Sequence, residues 1–270
     1  MHRRANPAPT NSPMPEPKFR SIRVDAVTLR HSDYGEADRL LTLYTRQRGK
    51  MRVIAKGARK IASRKAGHIE PFTQARLQLA VGRDMFILTQ ADTVDAYLPL
   101  RDDLLLLSHA AYAVELLDRF TYENNDVENP AIFRLLTDTL SRLASGADVW
   151  LVLRFYEMRL LDQLGFRPQL FECVNCGRAI QPEDQFFSFN AGGVICPRCG
   201  QGLKHLRPIS LEALKYLRHF QRSGYAEASR ARPDADVRSE TETLMQGYFT
   251  YLLERELNTP GFLKRVKAGL

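Results

Sequence analysis

The sequence has 270 residues, of which 44% are hydrophobic and 26% are charged, and its formal net charge is +8 at pH 7. This length suits one large domain or two to three small ones, and the composition is typical of a globular protein. No apolar run approaches the ~18 residues of a membrane span, so we expect no membrane contact. Residues 1–17 contain five prolines and no signal-peptide pattern, and we predict a disordered tail. Four cysteines without an export signal indicate a cytoplasmic protein.

The positive charge is concentrated between residues 18 and 98, which hold 16 Lys and Arg but only 8 Asp and Glu. Residues 99–270 hold 21 basic and 22 acidic residues, so only the first folded region is basic. A localised basic field indicates a polyanionic partner, most often nucleic acid. A basic face that serves only solubility is the alternative.

The first folded region alternates apolar and polar residues, as β-strands do. Strands are predicted over residues 22–29, 39–45, 51–55, 72–81 and 85–89. A small, basic segment, residues 58–67, separates the third strand from the fourth and is predicted to be a loop with a short helix. This is the element order of an OB-fold, although an SH3-like barrel also fits the pattern. We predict an OB-fold nucleic-acid-binding domain over residues 18–98.

After Pro99 the apolar residues recur at helical spacing. Predicted caps and breakers give helices over residues 102–122, 130–145, 148–165, 211–223 and 237–257. These helices form a predicted helical domain over residues 99–170 and 204–270. The whole chain is therefore predicted to be an α+β multi-domain protein.

Two Cys-x-x-Cys-Gly motifs interrupt the helices within residues 171–203. Their ligand candidates are Cys173, Cys176, Cys196 and Cys199, and residues 177–195 separate the two pairs. This spacing is typical of one Zn²⁺ site, and four thiolates close the coordination sphere of a structural ion. Predicted strands over residues 186–189 and 194–195 flank a turn, as in a zinc ribbon. Two disulfides or a redox-active pair are alternatives with less support.

Residues 46–65 contain nine cations and no acid. Cations among small residues allow a phosphate backbone to approach closely. The predicted nucleic-acid contacts are Arg39, Arg46, Arg48, Lys50, Arg52, Lys56, Arg59, Lys60, Arg64 and Lys65. Tyr34, Tyr44 and Phe72 are candidates for base stacking, with burial in a core as the alternative for each.

Catalysis finds little support in the sequence. No phosphate-binding loop, dinucleotide-binding glycine motif, metalloprotease motif or nucleophile elbow is present. We therefore predict that the protein is not an enzyme.

Several of these segments together resemble the RecO family of bacterial DNA-repair mediators. The most specific segments are residues 34–41, 44–45, 49–50 and 55–60, followed by Ser63 and residues 71–72. Residues 115–117, 154–155 and 160–161 continue the resemblance, and the Cys motifs follow where many members carry zinc. Two departures are Ile61–Ala62, where the family often continues with basic residues, and residues 257–262, which match the usual basic ending poorly.

The resemblance implies a non-catalytic function in recombination. It implies binding of single- and double-stranded DNA, annealing of complementary strands and, with RecR, loading of RecA onto strands coated by single-stranded-DNA-binding protein (SSB). It also implies that the helical domain binds the SSB C-terminal tail, with Arg154 at a basic position of that site and Met158 as its apolar floor. Such a protein would be associated with the nucleoid.

Two other classes of function remain open from the residues alone. An OB-fold and zinc-ribbon protein of translation or transcription would bind RNA. A metal-dependent nuclease would turn over DNA when Mg²⁺ is added.

Overall fold

The structure is a computed structural model that describes residues 21–123, 129–254 and 257–269. The predicted tail, residues 1–17, and the first three residues of the predicted barrel domain lie outside the described residues. Within the described part of the chain, no helix is both long and apolar enough to cross a bilayer.

Five strands form the N-terminal region: β1 (Ser21–Tyr34), β2 (Asp38–Thr45), β3 (Gly49–Ala55), β4 (Gln74–Val81) and β5 (Phe86–Asp95). They close into a barrel of order β1-β2-β3-β5-β4, in which β3 and β5 pair in parallel and the other neighbours are antiparallel. The predicted OB-like barrel is therefore confirmed. The first and last strands run farther than predicted, because their outer ends continue into polar, exposed residues that carry no hydrophobic alternation.

The two faces of the barrel strands have different partners, since successive side chains point to opposite sides of a strand. Val24, Leu43 and Val53 point inward and belong to the barrel core. Val27 and Tyr44 lie on the opposite face and pack into the core of the helical region. The outer face of β1 and β2 is therefore the surface that attaches the barrel to the helices.

Nine helices follow the barrel within the described residues: α1 (Pro99–Asp102), α2 (Leu104–Phe120), α3 (Pro130–Ala144), α4 (Val149–Gln163), α5 (Pro197–Gly200), α6 (Leu211–Arg222), α7 (Tyr225–Ala228), α8 (Ala235–Leu253) and α9 (Asn258–Gly269). Two predicted N-caps, Asn129 and Ser210, are confirmed, and Asp148 caps the helix that was predicted to start near it. Asn129 accepts from Ile132 N, Asp148 accepts from Leu151 N, and the Ser210 hydroxyl accepts from Ala213 N.

The end of the chain differs from the prediction of one helix over residues 237–257. Helix α8 ends at Leu253, where Glu254 adopts a left-handed φ of 51°. A separate helix, α9, then begins at Asn258. Pro260 lies in the first turn of α9, where its missing N–H costs no helical hydrogen bond. Glu115 accepts hydrogen bonds from the backbone of Asn258 and Thr259 and fixes this helix against α2.

The segment between α4 and α6 forms a small antiparallel sheet of order β7-β6-β8, with β6 (Gln185–Ser188), β7 (Gly193–Ile195) and β8 (Arg207–Ile209). We call residues 171–209 the ribbon. Phe187 and Val194 of the ribbon lie in the same apolar core as Leu160 and Phe249 of the helices. One continuous core therefore joins the barrel face, the helices and the ribbon.

Candidate metal centre and nucleic-acid interface

The four cysteines converge at one point of the ribbon. Their Sγ atoms all lie within 4.8 Å of one another, and the Sγ atoms of Cys176 and Cys196 are 4.0 Å apart. Tetrahedral coordination with metal–sulfur bonds of about 2.3 Å requires sulfurs about 3.8 Å apart. The donor set therefore fits one tetrahedral metal ion, held by Cys173, Cys176, Cys196 and Cys199.

The environment of the thiols favours a bound cation. Burial raises the pKa of the Cys173 thiol, but backbone N–H groups of Cys196, Cys176 and Asn175 outweigh it and lower that pKa to about 6. The backbone N–H of Cys199 lowers the pKa of the Cys196 thiol, yet burial and the neighbouring thiols raise it to about 12. Neighbouring sulfurs thus resist being thiolates together, and a divalent cation removes that conflict.

The glycines after the second cysteine of each pair have different roles. Gly177 adopts a φ of +70°, where its backbone turns under the sulfurs and its N–H donates to Cys173 O. Gly200 lies inside α5, and a Cβ at this position would lie 2.5 Å from the Phe186 ring. The first glycine supplies a conformation and the second supplies space.

The cations of strand β3 contact the helical region, whereas those that follow β3 in the chain face solvent. Lys50 is 9% exposed, and its Nζ lies 2.7 Å from Asp118 Oδ1 and donates to the carbonyl oxygens of Asp118 and Thr121. The Arg52 Nε lies 2.8 Å from Glu123 Oε1. Because residues 50 and 52 share the outward face of β3, both point at the C-terminal end of α2. Lys50 therefore joins the barrel to the helices, and its predicted nucleic-acid contact stays a prediction that its burial does not favour.

The β3–β4 connection, residues 56–73, carries the exposed cations in its first half. Among the described residues, the side chains of Lys56, Lys60 and Arg64 have no hydrogen-bond or ion-pair partner, and all three are exposed. Arg59 is also exposed and lies 3.2 Å from Asp33 Oδ2, an ion pair that water screens. These four side chains form a concentrated positive surface.

Backbone hydrogen bonds fix this connection to the barrel. Gly57 N donates to Asp38 Oδ1 at 2.7 Å, and Arg59 N donates to Ala37 O at 2.9 Å. Ala58 is buried in the barrel core between these two positions. The exposed cations therefore project from a backbone that is held in place.

Arg46 and Arg48 lie in the β2–β3 turn, at the other end of β3. The seven residues of β3 separate them from Lys56, a span of about 20 Å. Arg46 is exposed, and the Arg48 guanidinium lies 5.6 Å from the centroid of the Phe86 ring. The nine cations that are adjacent in sequence are therefore divided between two ends of the barrel and its interface with the helices.

Arg39 and Lys65 are held by partners within the barrel. The Arg39 Nη1 atom donates to Glu70 Oε1 at 2.7 Å, and Lys65 Nζ donates to Leu88 O at 3.2 Å. Burial raises the pKa of Glu70, but hydrogen bonds from Arg39 and His31 outweigh it and lower that pKa. Both cations are therefore held against the barrel, and their charged groups are less exposed than those of Lys56, Lys60 and Arg64.

The three candidate stacking aromatics have different environments. Tyr44 is 2% exposed within the core between barrel and helices, and burial raises its pKa to about 12, so it is a core residue. Phe72 packs against the helical core with a φ of 67°. Tyr34 alone of these three is exposed, at the β1–β2 turn near Arg59.

Comparison with known proteins decides the family. Residues 19–97 match the family described as "Recombination protein O N terminal", and residues 101–260 match "Recombination protein O C terminal". A DNA repair protein RecO of Roseiflexus sp. is 43% identical over 251 residues, covering 93% of this chain and 88% of the relative. The chain belongs to the RecO family. RecO proteins of Dehalococcoides mccartyi and Bacillus pumilus are 34% and 31% identical, covering 88% and 92% of this chain and 93% and 95% of the relatives.

RecO-family membership directs attention to Arg154, which the structure places on the wall of a cavity of about 560 Å³ among α2, α4, α8 and α9. Arg154 is 3% exposed and pairs with Glu157, while its Nε and Nη1 atoms have no hydrogen-bond partner among the described residues. Tyr112 Oη donates to Glu157 Oε1 at 2.7 Å. Burial outweighs these contacts and raises the pKa of Glu157 to about 7.

Met158, the predicted apolar floor beside Arg154, is 1% exposed and is not among the residues that line the cavity. The floor is formed instead by Leu105, Leu153 and Leu263, with Lys267 of α9 at the rim. Sequence reasoning missed Lys267 because α9 was not predicted, and it missed Tyr112 and Glu157 because single polar residues on helices carry no motif.

Proposed function

We propose that this RecO-family chain is a non-catalytic, DNA-binding recombination mediator. It binds single- and double-stranded DNA and anneals complementary strands, and together with RecR it helps load RecA onto SSB-coated strands in the cytoplasm, at the nucleoid. The single observation that carries the proposal is the positive surface of residues 56–65 on an OB-like barrel of a DNA-repair family. Annealing brings two polyanions together, and exposed cations reduce the repulsion between them.

The side chains proposed to contact DNA phosphates are those with solvent on their charged ends. They are Lys56, Arg59, Lys60 and Arg64 on the connection and Arg46 on the β2–β3 turn, with Arg48, Arg52 and Lys65 at the margins. Each neutralised phosphate releases counterions, so log affinity falls with log salt by about 0.7 per contact on a single strand. Phosphate contacts carry no sequence information directly, so the contact is expected to tolerate different sequences.

A charge-reversal variant, Lys56→Glu/Arg59→Glu/Lys60→Glu, tests this surface. We expect a salt slope for single-stranded DNA that is shallower by about 2, measured by fluorescence anisotropy over a range of NaCl. Thermal stability should stay near that of the wild type, because none of the three side chains is buried. The matched control is Arg178→Glu/Arg230→Glu/Lys264→Glu, which changes net charge equally at exposed positions away from the barrel. Equal binding by both variants would contradict the assignment.

Annealing of complementary strands coated by cognate SSB separates the proposed function from its alternatives. We expect annealing by the wild type and its loss in the barrel variant. Preference for RNA over DNA together with failure to anneal would favour the RNA-binding alternative. Cleavage of labelled DNA with Mg²⁺ would favour the nuclease. Adding RecR and RecA to the same coated strands then tests the loading step.

The metal of the ribbon is proposed to be one structural Zn²⁺. Four cysteine sulfurs at tetrahedral spacing support this ion, and a complete set of protein ligands leaves no position for a reactive water. Metal analysis of the purified protein should give one zinc per chain. Substantial loss of that zinc in Cys196→Ser, compared with retention in His205→Ala, would assign the ligands.

The cavity at Arg154 is proposed to receive the acidic C-terminal tail of SSB. A buried guanidinium with two unpaired donor atoms, above a leucine floor, suits a carboxylate attached to an apolar residue. Lys267→Glu at the rim should weaken binding of a tail peptide at least fivefold in an anisotropy titration. Lys264→Glu, on the same helix but away from the lining, is the control. Equal affinities of Lys267→Glu and Lys264→Glu for the peptide would contradict this site.

A further inference from the structure

A second groove, of about 710 Å³, lies between the ribbon and the C-terminal end of α8. Its walls are the β6–β7 turn, the segment from Leu203 to Arg207, and Tyr251 of α8. It shares no residue with the barrel surface or with the Arg154 cavity. None of the functions described above uses it.

The groove is basic and contains no acid. Lys204, His205 and Arg207 line it, and no Asp or Glu does. Lys204 and His205 are exposed and, among the described residues, their side chains have no hydrogen-bond or ion-pair partner. His205 also adopts a φ of 63°, which is uncommon for a residue with a Cβ and is concentrated at binding sites. Uncompensated cations in a concave surface attract a polyanion.

Two aromatic rings form a fixed platform beside these cations. Phe189 packs directly on α8, where a Cβ at Gly247 would lie 2.7 Å from the ring, and the Arg207 guanidinium lies 5.9 Å from the centroid of that ring. The Tyr251 ring lies 6.2 Å from Phe189 with an interplanar angle of 37°, and Tyr251 Oη donates to Asn190 Oδ1 at 2.9 Å. The Tyr251 ring is 44% exposed toward the groove. Its orientation is therefore set before any ligand binds, and its free face is available for stacking.

Stacking faces next to unpaired cations are the two components of a site for single-stranded nucleic acid. We propose that this groove is a second site for single-stranded DNA, in which a base stacks on Tyr251, with Phe189 supporting that ring, while Lys204 and Arg207 contact phosphates. This inference rests on the proposed DNA-binding function and deepens it. A molecule with one strand on the connection and another in the groove holds the two reactants of annealing together.

Photo-cross-linking locates the contact directly. A single strand with bromodeoxyuridine in place of thymidine should cross-link to Tyr251 or Phe189, identified by mass spectrometry of the full-length protein. Tyr251→Ala should weaken binding of a long single strand about tenfold, the effect of losing one stacked base. Tyr251→Phe keeps the ring and should bind like the wild type. Tyr122→Ala removes an exposed tyrosine that is remote from the groove and is the control.

The cations are tested in the same assay. Lys204→Glu/Arg207→Glu should make the salt slope shallower by about 1.4, since each contact contributes about 0.7. In the Lys56→Glu/Arg59→Glu/Lys60→Glu background, the binding that remains should depend on Tyr251. Zinc content is measured in every variant, so that damage to the ribbon is detected separately.

The outcomes distinguish this inference from the function on which it rests. Unchanged affinity in both groove variants, with no cross-link in the ribbon or α8, overturns the groove and leaves the barrel site intact. Failure of the wild type to bind DNA at low salt overturns both. If Tyr251→Ala loses zinc or unfolds, the cross-link and the Lys204→Glu/Arg207→Glu slope decide.

Discussion

The β3–β4 connection and the ribbon both expose cations, but they are held in place in different ways. The connection rests on a closed barrel, through backbone hydrogen bonds from Gly57 and Arg59 and the buried Ala58. The ribbon has three strands of three or four residues each, and its loops meet at four sulfur atoms. A segment of about 40 residues buries too little core to be stable alone, so the ribbon depends on the metal and the helices.

The difference teaches that two basic surfaces of one protein can be lost independently. A closed barrel has no free edges and keeps its loops while its own core is intact. The ribbon has two attachments, the sulfurs and the apolar contacts of Phe187 and Val194 with the helical core. Changes to the metal, to the barrel–helix contact, to the helices and to the connection should therefore give four distinguishable results.

Metal removal should have the largest effect. Structural zinc in small domains contributes about 10–16 kcal/mol of apparent binding energy, which the ribbon loses when a chelator takes the ion. We expect hydrogen exchange to rise sharply in β6 and β7 while β1 to β5 keep their protection. DNA binding through the connection should persist. Equal loss of protection in barrel and ribbon would break the distinction between them, and unchanged protection throughout would refute a structural metal.

Breaking the barrel–helix contact is expected to have the next largest effect. Asp118→Ala leaves the Lys50 ammonium buried without its carboxylate, and we expect a loss of about 3 kcal/mol because two carbonyl acceptors remain. Urea denaturation measures this loss in the free energy of unfolding. Asp33→Ala removes the exposed partner of Arg59 and is the control, with an expected change below about 0.5 kcal/mol. Equal losses of stability in Asp118→Ala and Asp33→Ala would mean that Lys50 is as accessible to water as Arg59.

The contrast between Lys50 and Lys56 shows what the sequence could predict and what it could not. Alternation, turn residues and caps predicted the five strands, three helix starts and the paired cysteine turns, because each depends on neighbours along the chain. The role of Lys50 depends on Asp118, which is 68 residues away and lies on another element. The density of charge along the sequence cannot distinguish an exposed cation that could bind nucleic acid from one that pairs with another part of the same chain.

The candidate sites, like the fold, were predictable only where they depend on residues that are close in sequence. The four ligand cysteines were identified from spacing alone, since two residues between sulfurs fix the turn. Helix α9 was not predicted, and with it Lys267 at the rim of the Arg154 cavity was missed. The start of this helix is held by Glu115, which is 143 residues away in sequence from Asn258. The ribbon groove combines the β6–β7 turn with Tyr251, which tertiary packing alone brings together.

A pH titration should probe the stability of the helices through the buried carboxyl of Glu157 on α4. The pKa of Glu157 is raised to about 7 in the folded protein, from an ordinary value of 4.5. Between these values the folded state holds the proton more tightly than the unfolded state, so stability falls as pH rises. We expect a loss of about 2 kcal/mol between pH 5 and pH 7 from this group.

Glu157→Gln should flatten that dependence in urea denaturation at several pH values. Glu183→Gln, an exposed carboxyl in the ribbon, is the control and should leave the slope unchanged. A rise in wild-type stability with pH that Glu157→Gln abolishes would reverse the assigned sign and show that Arg154 outweighs burial.

The smallest effect is expected at the turn that begins the connection. Gly57 adopts a φ of +66°, so Gly57→Ala forces a Cβ into a left-handed conformation at a cost of about 1 kcal/mol, although no neighbour blocks the added atom. If strain also shifts the backbone that Asp38 holds, DNA binding should weaken while zinc content stays constant. Gly67→Ala, in the same connection but at negative φ with open space around it, is the control. Weaker DNA binding in Gly57→Ala alone would show that the connection works as a fixed surface, whereas equal binding in both would show that its charges act without a set geometry.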